Sequence, residues 1–282
     1  MLAITGSTGA LGGRVARALA QDFRTDLRLV VRDAARAPDY DTDVRVCDYA
    51  DRSAAVEALQ GADTLFMVSA AEAVDRRDQH RTFISAAAEA GVGHIVYTSF
   101  AGAAPDSTFT LGRDHWDAER AIRESGMAHT FLRDNFYSDL LPFFADEHGV
   151  IRGPAGDGRV AAVARADVAD VAVAVLRSPA DHAGATYVLS GPEALTMAEA
   201  AARAGAELGR QLSFEDETVE AAYASRKAAY AAEDWQLDAW VSTYTAIKDG
   251  SVAEVSDDVQ RVAGHPARTI EEALREVGRD PR

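Results

Sequence analysis

Short apolar runs alternate with helix-period segments through the first two thirds of the chain. The first run, LAIT, leads into LGGRVARALA, where Leu11, Val15 and Leu19 recur one turn apart and fall on one helical face. LRLVV and VRVCDY follow as two further strands, the second read as buried. A short helix runs from Asp51, an N-cap residue type, to Leu59, with Gly61 beyond it, and TLFMVS follows as a strand. A longer helix covers about Gln79 to Ala90 and stops at Gly91, where a glycine just past the last turn is expected. HIVYTS, a helix holding His115 to Glu124, and the strand HTFLR continue the series. Near-continuous Val, Ile and Leu in these runs predicts strands buried on both faces, as in parallel sheets. The alternation predicts an α/β fold built on a doubly wound parallel sheet.

Past Asn135 the rhythm changes. DLLPFFADEHGVIRGPAGDGR reads as loop-rich, ARADVADVAVAVL as a helix, TYVLSG as a strand, and the chain from LTMAEA onward as mainly helical. We therefore expect a sheet domain over 1–134, with a helix and strand returning to it at about 160–190. Segments 135–160 and 191–282 are expected to form a smaller, mainly helical C-terminal lobe for substrate.

Composition narrows the partners. A net charge of −16 over 282 residues opposes nucleic-acid phosphates and anionic membrane surfaces, so neither is expected as a partner. No apolar run is long enough to cross a bilayer, and the start of the chain has no signal-peptide pattern. The single cysteine, Cys47, has no disulfide mate and is read as a packing residue in a cytoplasmic protein. The histidines lack metal-ligand spacing, so no metal is expected, and no G-x-S-x-G element points to a hydrolase. Oligomeric state stays open, a homodimer included.

GSTGALGG sits between the first strand and the first helix. Its glycines, Gly6, Gly9 and Gly12, allow a tight turn and let backbone N–H groups approach a pyrophosphate at the helix N-terminus. This places Gly6, Ser7, Thr8, Gly9, Ala10, Leu11 and Gly12 against a dinucleotide, on a Rossmann-type sheet. At the end of the second strand, LVVRDAARAP supplies Arg32 and Arg36, which suit the 2′-phosphate of NADPH. Asp33 beside them is the residue type that binds the ribose of NADH instead, so NADPH is favoured over NADH on the arginines alone. Asp48 and Tyr49 are expected near the adenine, and Met67, Val68 and Ser69 along the path to the nicotinamide.

The combination of AITGSTGALGG, LVVRDAARA, AGVGHIVYTS, HWDAER, TFLRDNFYSD, ARADVADVA and SVAEVSDDVQRVAGHPARTIEEAL resembles the NmrA-like group of atypical short-chain dehydrogenases. Within that group the chain looks most like NADPH-dependent quinone oxidoreductases and triphenylmethane reductases, over nearly its whole length. The resemblance implies hydride transfer from NADPH to a quinone or similar conjugated acceptor, an aromatic small molecule, without flavin. It also implies a reduced catalytic apparatus. Where ordinary short-chain dehydrogenases carry Tyr-x-x-x-Lys, this chain has Trp116-x-x-x-Arg120, and neither side chain can shuttle a proton. A quinone asks less, because its reduction product takes a proton from water and positioning carries the rate.

The resemblance nominates His115, Ser99 and Arg120 for catalysis. His115 would donate a proton or orient a quinone oxygen; the competing reading is a surface pair with Glu119 one turn on. Phe100, Tyr137, Trp235, Trp240 and Tyr244 are the candidate acceptor contacts, with helix packing the alternative for the aromatics near the C-terminus. The family more often reads Arg-Asn where this chain has Arg133-Asp134. Two rival functions remain at this level: a non-catalytic NADP-sensing regulator of the NmrA-like kind, and nucleotide-sugar epimerisation or dehydration, which needs the tyrosine base that is missing.

Overall fold

The computed structural model of the chain describes residues 1–22 and 26–277. In chain order the elements are β1 (Leu2–Thr5), α1 (Ala10–Ala20), β2 (Leu27–Val31), β3 (Asp43–Val46), α2 (Arg52–Leu59), β4 (Thr64–Met67), α3 (Arg76–Glu89), β5 (His94–Phe100), α4 (Thr110–Glu124) and β6 (Ala128–Asp134). There follow β7 (Val150–Gly153), β8 (Arg159–Val160), α5 (Arg165–Arg177), β9 (Thr186–Leu189), β10 (Leu195–Thr196) and α6 (Met197–Leu208). The chain closes with β11 (Ser213–Asp216), α7 (Val219–Ala229), α8 (Asp234–Lys248), α9 (Asp258–Ala263) and α10 (Ile270–Val277).

Two compact units emerge. The first comprises Met1–Phe100, Asp114–Arg133 and Val168–Tyr187; the second comprises Ala101–Arg113, Asp134–Asp167 and Val188–Arg282. The seven-stranded sheet runs in the order β3-β2-β1-β4-β5-β6-β9. β1 pairs in parallel with both β2 and β4, so the strand order reverses between β1 and β4. Such a reversal opens a crevice at the carboxyl ends of the strands, where ligands bind in open α/β sheets.

The apolar runs explain the sheet. β1, β2 and β5 are buried along their full length, because helices cover both faces. Leu11, Val15 and Leu19 of α1 are buried together, as their spacing dictates. Just past α3, Gly91 takes φ +84°, a conformation that a side chain would strain. β3 departs from the expectation of a buried strand. It lies at the sheet edge, Val46 is 53 % exposed, and only Cys47, just past the strand, is buried.

Burial pushes the Cys47 thiol up to about 12, helped by the nearby carboxylates of Asp48 and Asp51. The thiol therefore stays protonated at neutral pH. We expect no reaction with a disulfide reagent at pH 8 in the native protein, and one equivalent after unfolding in guanidinium. Fast labelling of the native state would contradict this.

A buried carboxylate knits the first unit. Glu119 of α4 is fully buried, accepts from Ser99 Oγ at 2.6 Å, and takes both ends of the Arg133 guanidinium at 2.7 Å. Arg123, one turn along the helix, adds a third donor at 3.1 Å. The pairing of His115 with Glu119 as a surface contact is thus not what forms: both residues are buried, and their partners differ.

Within the second unit, 135–160 is less irregular than its sequence suggests. β7 pairs in parallel with β11, and β8 pairs antiparallel with β10. These strands are short and carry polar residues, so no apolar run marks them. α6 begins with a capping box in which Thr196 and Glu199 satisfy each other's backbone N–H groups.

Candidate functional site

The turn after β1 is a cradle built from backbone. Gly6 adopts φ +66°, and its carbonyl accepts from Gly9 N–H at 2.9 Å. A Cβ on Gly12 would lie 2.4 Å from the Gly6 oxygen, so only glycine lets α1 start this close to the turn. At Gly9 a Cβ would stand 3.3 Å from the same Gly6 oxygen, a tight contact but a milder one than at Gly12. The α1 N-cap, Gly9, offers no side-chain acceptor, and the first helical N–H groups stay available to an anion. Ser7 is buried, and its Oγ has no hydrogen-bond partner among the described residues. An orphaned hydroxyl beside uncapped N–H groups fits a phosphate-bearing ligand.

Beside the cradle lies a cavity of about 260 Å³. Thr5, Gly6, Thr8, Arg32, Asp48, Tyr49, Val68 and Ser69 line it, together with Val30, Val31, Cys47, Gln79 and the segment from Ala70 to Ala73. The structure thus brings Gly6, Thr8, Arg32, Asp48, Tyr49, Val68 and Ser69 onto one surface. Arg36 is exposed and outside this lining, and Met67 is fully buried in the core instead of lining a path. Arg32 and Asp33 part company here. Arg32 is exposed at the cavity, while the Asp33 carboxylate accepts from Ala35 N–H at 3.0 Å and caps the short 3-10 turn Ala34–Arg36.

The cavity wall is held by side chains. The Tyr49 hydroxyl donates to the Val68 carbonyl at 2.7 Å and lies 2.6 Å from Thr5 Oγ1, and its ring stacks on Phe83 at 4.1 Å. Val68 N–H donates to Thr5 Oγ1 and Ser69 N–H to Thr98 Oγ1, both at 2.9 Å. Thr5 and Thr98 were not singled out from the sequence. Their signal is a hydroxyl at or near the carboxyl end of an apolar run.

His115 belongs to a buried network in the same unit. Its Nε2 lies 3.1 Å from Arg76 Nη2, and its Nδ1 lies 3.1 Å from the Tyr97 hydroxyl. An arginine only donates, so Nε2 accepts and the ring proton sits on Nδ1. Burial holds His115 well below the ordinary histidine range, and the Arg76 charge pushes the same way. His115 is thus a neutral ring fixed at both nitrogens. The Phe100 ring packs 6.2 Å from it. Ser99 is fully buried, with its hydroxyl given to Glu119. Arg120 is exposed, donates to Asp117 at 2.9 Å and lies over the Trp116 ring, outside the cavity lining. Arg76 and His80 were missed from sequence. They fall on the buried stripe of α3 with Phe83 and Ile84, where polar residues stand out.

In the second unit, Tyr137 donates to the buried Asp134 carboxylate at 2.5 Å. Burial and that carboxylate raise the phenol well above its usual range, so it keeps its proton. A separate cavity of about 430 Å³ is lined by Phe143, Phe144, Tyr230, Trp240 and Tyr244, with Arg152 and Arg226. Phe143 and Tyr230 are 65 % and 60 % exposed, a large apolar surface for one cavity. Trp240 and Tyr244 therefore share this cavity. Trp235 does not line it; its indole N–H donates to Glu233.

A family model described as NAD(P)H-binding matches residues 6–179. The chain is 34% identical to quinone oxidoreductase 2 of Escherichia coli over 97% of each chain. It is also 34% identical to the NAD(P)H azoreductase of Xenophilus azovorans over 96% of each chain. The crystal structure of the Escherichia coli enzyme complexed with NADPH superposes with a TM-score of 0.88, covering 99% of this chain and 100% of that one at 34% identity. The triphenylmethane reductase of Citrobacter sp. complexed with NADP(H) follows with a TM-score of 0.85, covering 98% and 99% of the two chains at 29% identity. Among the described residues no helix is long and apolar enough to cross a membrane.

Proposed function

The chain belongs to the NAD(P)H-binding family, and on that footing we propose that it is a flavin-independent oxidoreductase that reduces a quinone or similar conjugated acceptor with NADPH. NADPH supplies the hydride when bound. The cradle from Gly6 to Gly12 holds the pyrophosphate, with Ser7 Oγ as an added donor. The observation that carries the cofactor reading is the division of labour at the end of β2. Asp33 is engaged in its own cap, and Arg32 is left at the cavity to read a 2′-phosphate.

The acceptor class is supported by relatives of nearly full length that are named as a quinone oxidoreductase and an azoreductase. The chemistry of the residues agrees. Neither Trp116 nor Arg120 can shuttle a proton, and His115 spends its Nε2 lone pair on Arg76. A quinone tolerates this, since its reduced oxygen is protonated by water. The chain's task is then to bind, orient and keep the acceptor flat, and the aromatic rings of the second unit's cavity suit a planar molecule. We place the enzyme in the cytoplasm; neither metal nor flavin enters this reading.

The direct test is anaerobic oxidation of NADPH across benzoquinones, naphthoquinones and azo compounds, with NADH alongside and no flavin added. Turnover preferring NADPH supports the proposal. Tight NADP binding without turnover on any acceptor overturns it. Arg32→Ala should raise KM for NADPH up to about fivefold, the scale of one ionic contact at an exposed site, while NADH kinetics barely move. An equal loss for both cofactors would remove Arg32 from the phosphate site.

A further inference from the structure

The backbone beyond β4 must find partners for polar groups that no neighbouring strand takes. For Val68 and Ser69 the answer is local, a threonine hydroxyl from β1 and another from β5. Ala70 is treated differently. Its N–H donates to His80 Nε2 at 2.9 Å, and its carbonyl accepts from Arg76 Nε at 2.9 Å. Two side chains one turn apart on α3 thus grip both polar groups of a single residue in the cavity wall.

The grip is made from costly material. His80 is 0% exposed and Arg76 4% exposed. Because His80 Nε2 accepts, the proton of the neutral ring lies on Nδ1, which is buried without a partner among the described residues. Arg76 Nη1 is likewise without a hydrogen bond, its nearest carboxylate oxygen being Asp114 Oδ2 at 3.5 Å. Buried polar groups left unpaired are expensive, and an apolar pair would fill the same stripe of α3 without that cost. Besides the ion pair of Arg76 with Asp114, what the polar pair secures and an apolar pair would lose is the conformation of Ala70. Arg76 also reaches His115 Nε2 at 3.1 Å, so one guanidinium ties the wall to the neutral imidazole.

We propose that His80 and Arg76 are positioning residues for the reduced cofactor: they fix the segment from Ser69 to Ala73 as a rigid wall of the NADPH cavity, and Arg76 couples that wall to His115. The inference rests on the cofactor reading above. Neither residue touches substrate in this role. Their effect passes through Ala70.

The geometry of the amide side chains supplies the test. A glutamine can place Oε1 near His80 Nε2 and accept from Ala70 N–H, whereas an asparagine is too short and places its oxygen near Nδ1. NADPH affinity is titrated by cofactor fluorescence on the full chain, with melting temperature recorded for every variant. We expect His80→Gln to bind NADPH like the parent, and His80→Asn and His80→Phe to bind about tenfold more weakly, the worth of one lost hydrogen bond. Arg76→Lys, which keeps the charge but not the planar fork, should fall with them. KM for a naphthoquinone acceptor should stay put, and the nitrogen-15 spectrum of the parent should show His80 protonated at Nδ1. The inference is overturned if His80→Gln is as weak as His80→Phe, or if the variants lower the melting temperature and leave NADPH affinity unchanged. A parent that does not bind NADPH at all overturns the cofactor reading itself.

Discussion

Glu119→Ala should cost the fold about 3 kcal/mol, the low end of the scale found when one partner of a buried ion pair is removed, because the stranded Arg133 keeps some solvent. The carboxylate is fully buried and holds Arg133 through two bonds of 2.7 Å, with Ser99 Oγ at 2.6 Å. Alanine removes all of these acceptors at once. Arg133, whose side chain is 23 % exposed, is left half-buried without its counter-charge, and Ser99 keeps a hydroxyl that no solvent reaches. Glu119→Gln should lose less, because one amide oxygen still accepts. Urea denaturation of the apo protein reads both values. If Glu119→Ala shifts the midpoint no more than a surface substitution does, the cluster is not what holds α4 against β5 and β6.

Gly12→Ala should reduce NADPH affinity by about 100-fold or more. The added methyl would stand 2.4 Å from the Gly6 oxygen, 2.6 Å from the Gly6 carbon and 2.9 Å from the Thr5 oxygen. All three are backbone atoms, so no side chain can swing away. The turn itself must move, which misplaces the N–H groups on which phosphate binding depends. Gly9→Ala is the informative companion. Its methyl would stand 3.3 Å from the Gly6 oxygen alone, so the turn has to give by only a few tenths of an ångström, and the loss of stability and of affinity should both be smaller than for Gly12→Ala. Isothermal titration with NADPH, beside thermal melts, separates the two. Equal affinities for Gly12→Ala and the parent would show that the turn does not carry the phosphates.

The sequence made the sheet legible because burial on both faces leaves an unbroken apolar run, as in LRLVV and HIVYTS. It misjudged VRVCDY because an edge strand can carry the same residue types while exposing Val46. It passed over β7 and β11 because VIRG and SFED are four-residue strands with polar members, and no periodicity survives at that length. Helix spacing set His115 and Glu119 one turn apart, which is correct, but spacing on one helix says nothing about what each meets from other elements. Those partners, Arg76 and Tyr97 for one and Ser99 and Arg133 for the other, lie between 14 and 39 residues away in sequence. The paired arginines after β2 were visible as composition. Which of them faces the cavity, and that Asp33 is engaged in a cap, is decided by the turn after β2 and the strands around it, which composition does not encode.

The way the two units share the chain bears on how the protein is made. The first unit is assembled from three segments and is not complete until Tyr187, and the second begins at Ala101 but draws its last described helix from Ile270–Val277. A ribosome therefore delivers more than half of the chain before the first unit can close. It must finish nearly all of it before the second can. Thr108 and Thr110 leave the exit tunnel long before Asp249 and Ser242, the residues they will bond, exist. Synthesis thus keeps unpaired apolar strands waiting, the condition under which nascent chains aggregate and chaperones are recruited. A fragment cut at any single point would retain at most one unit intact.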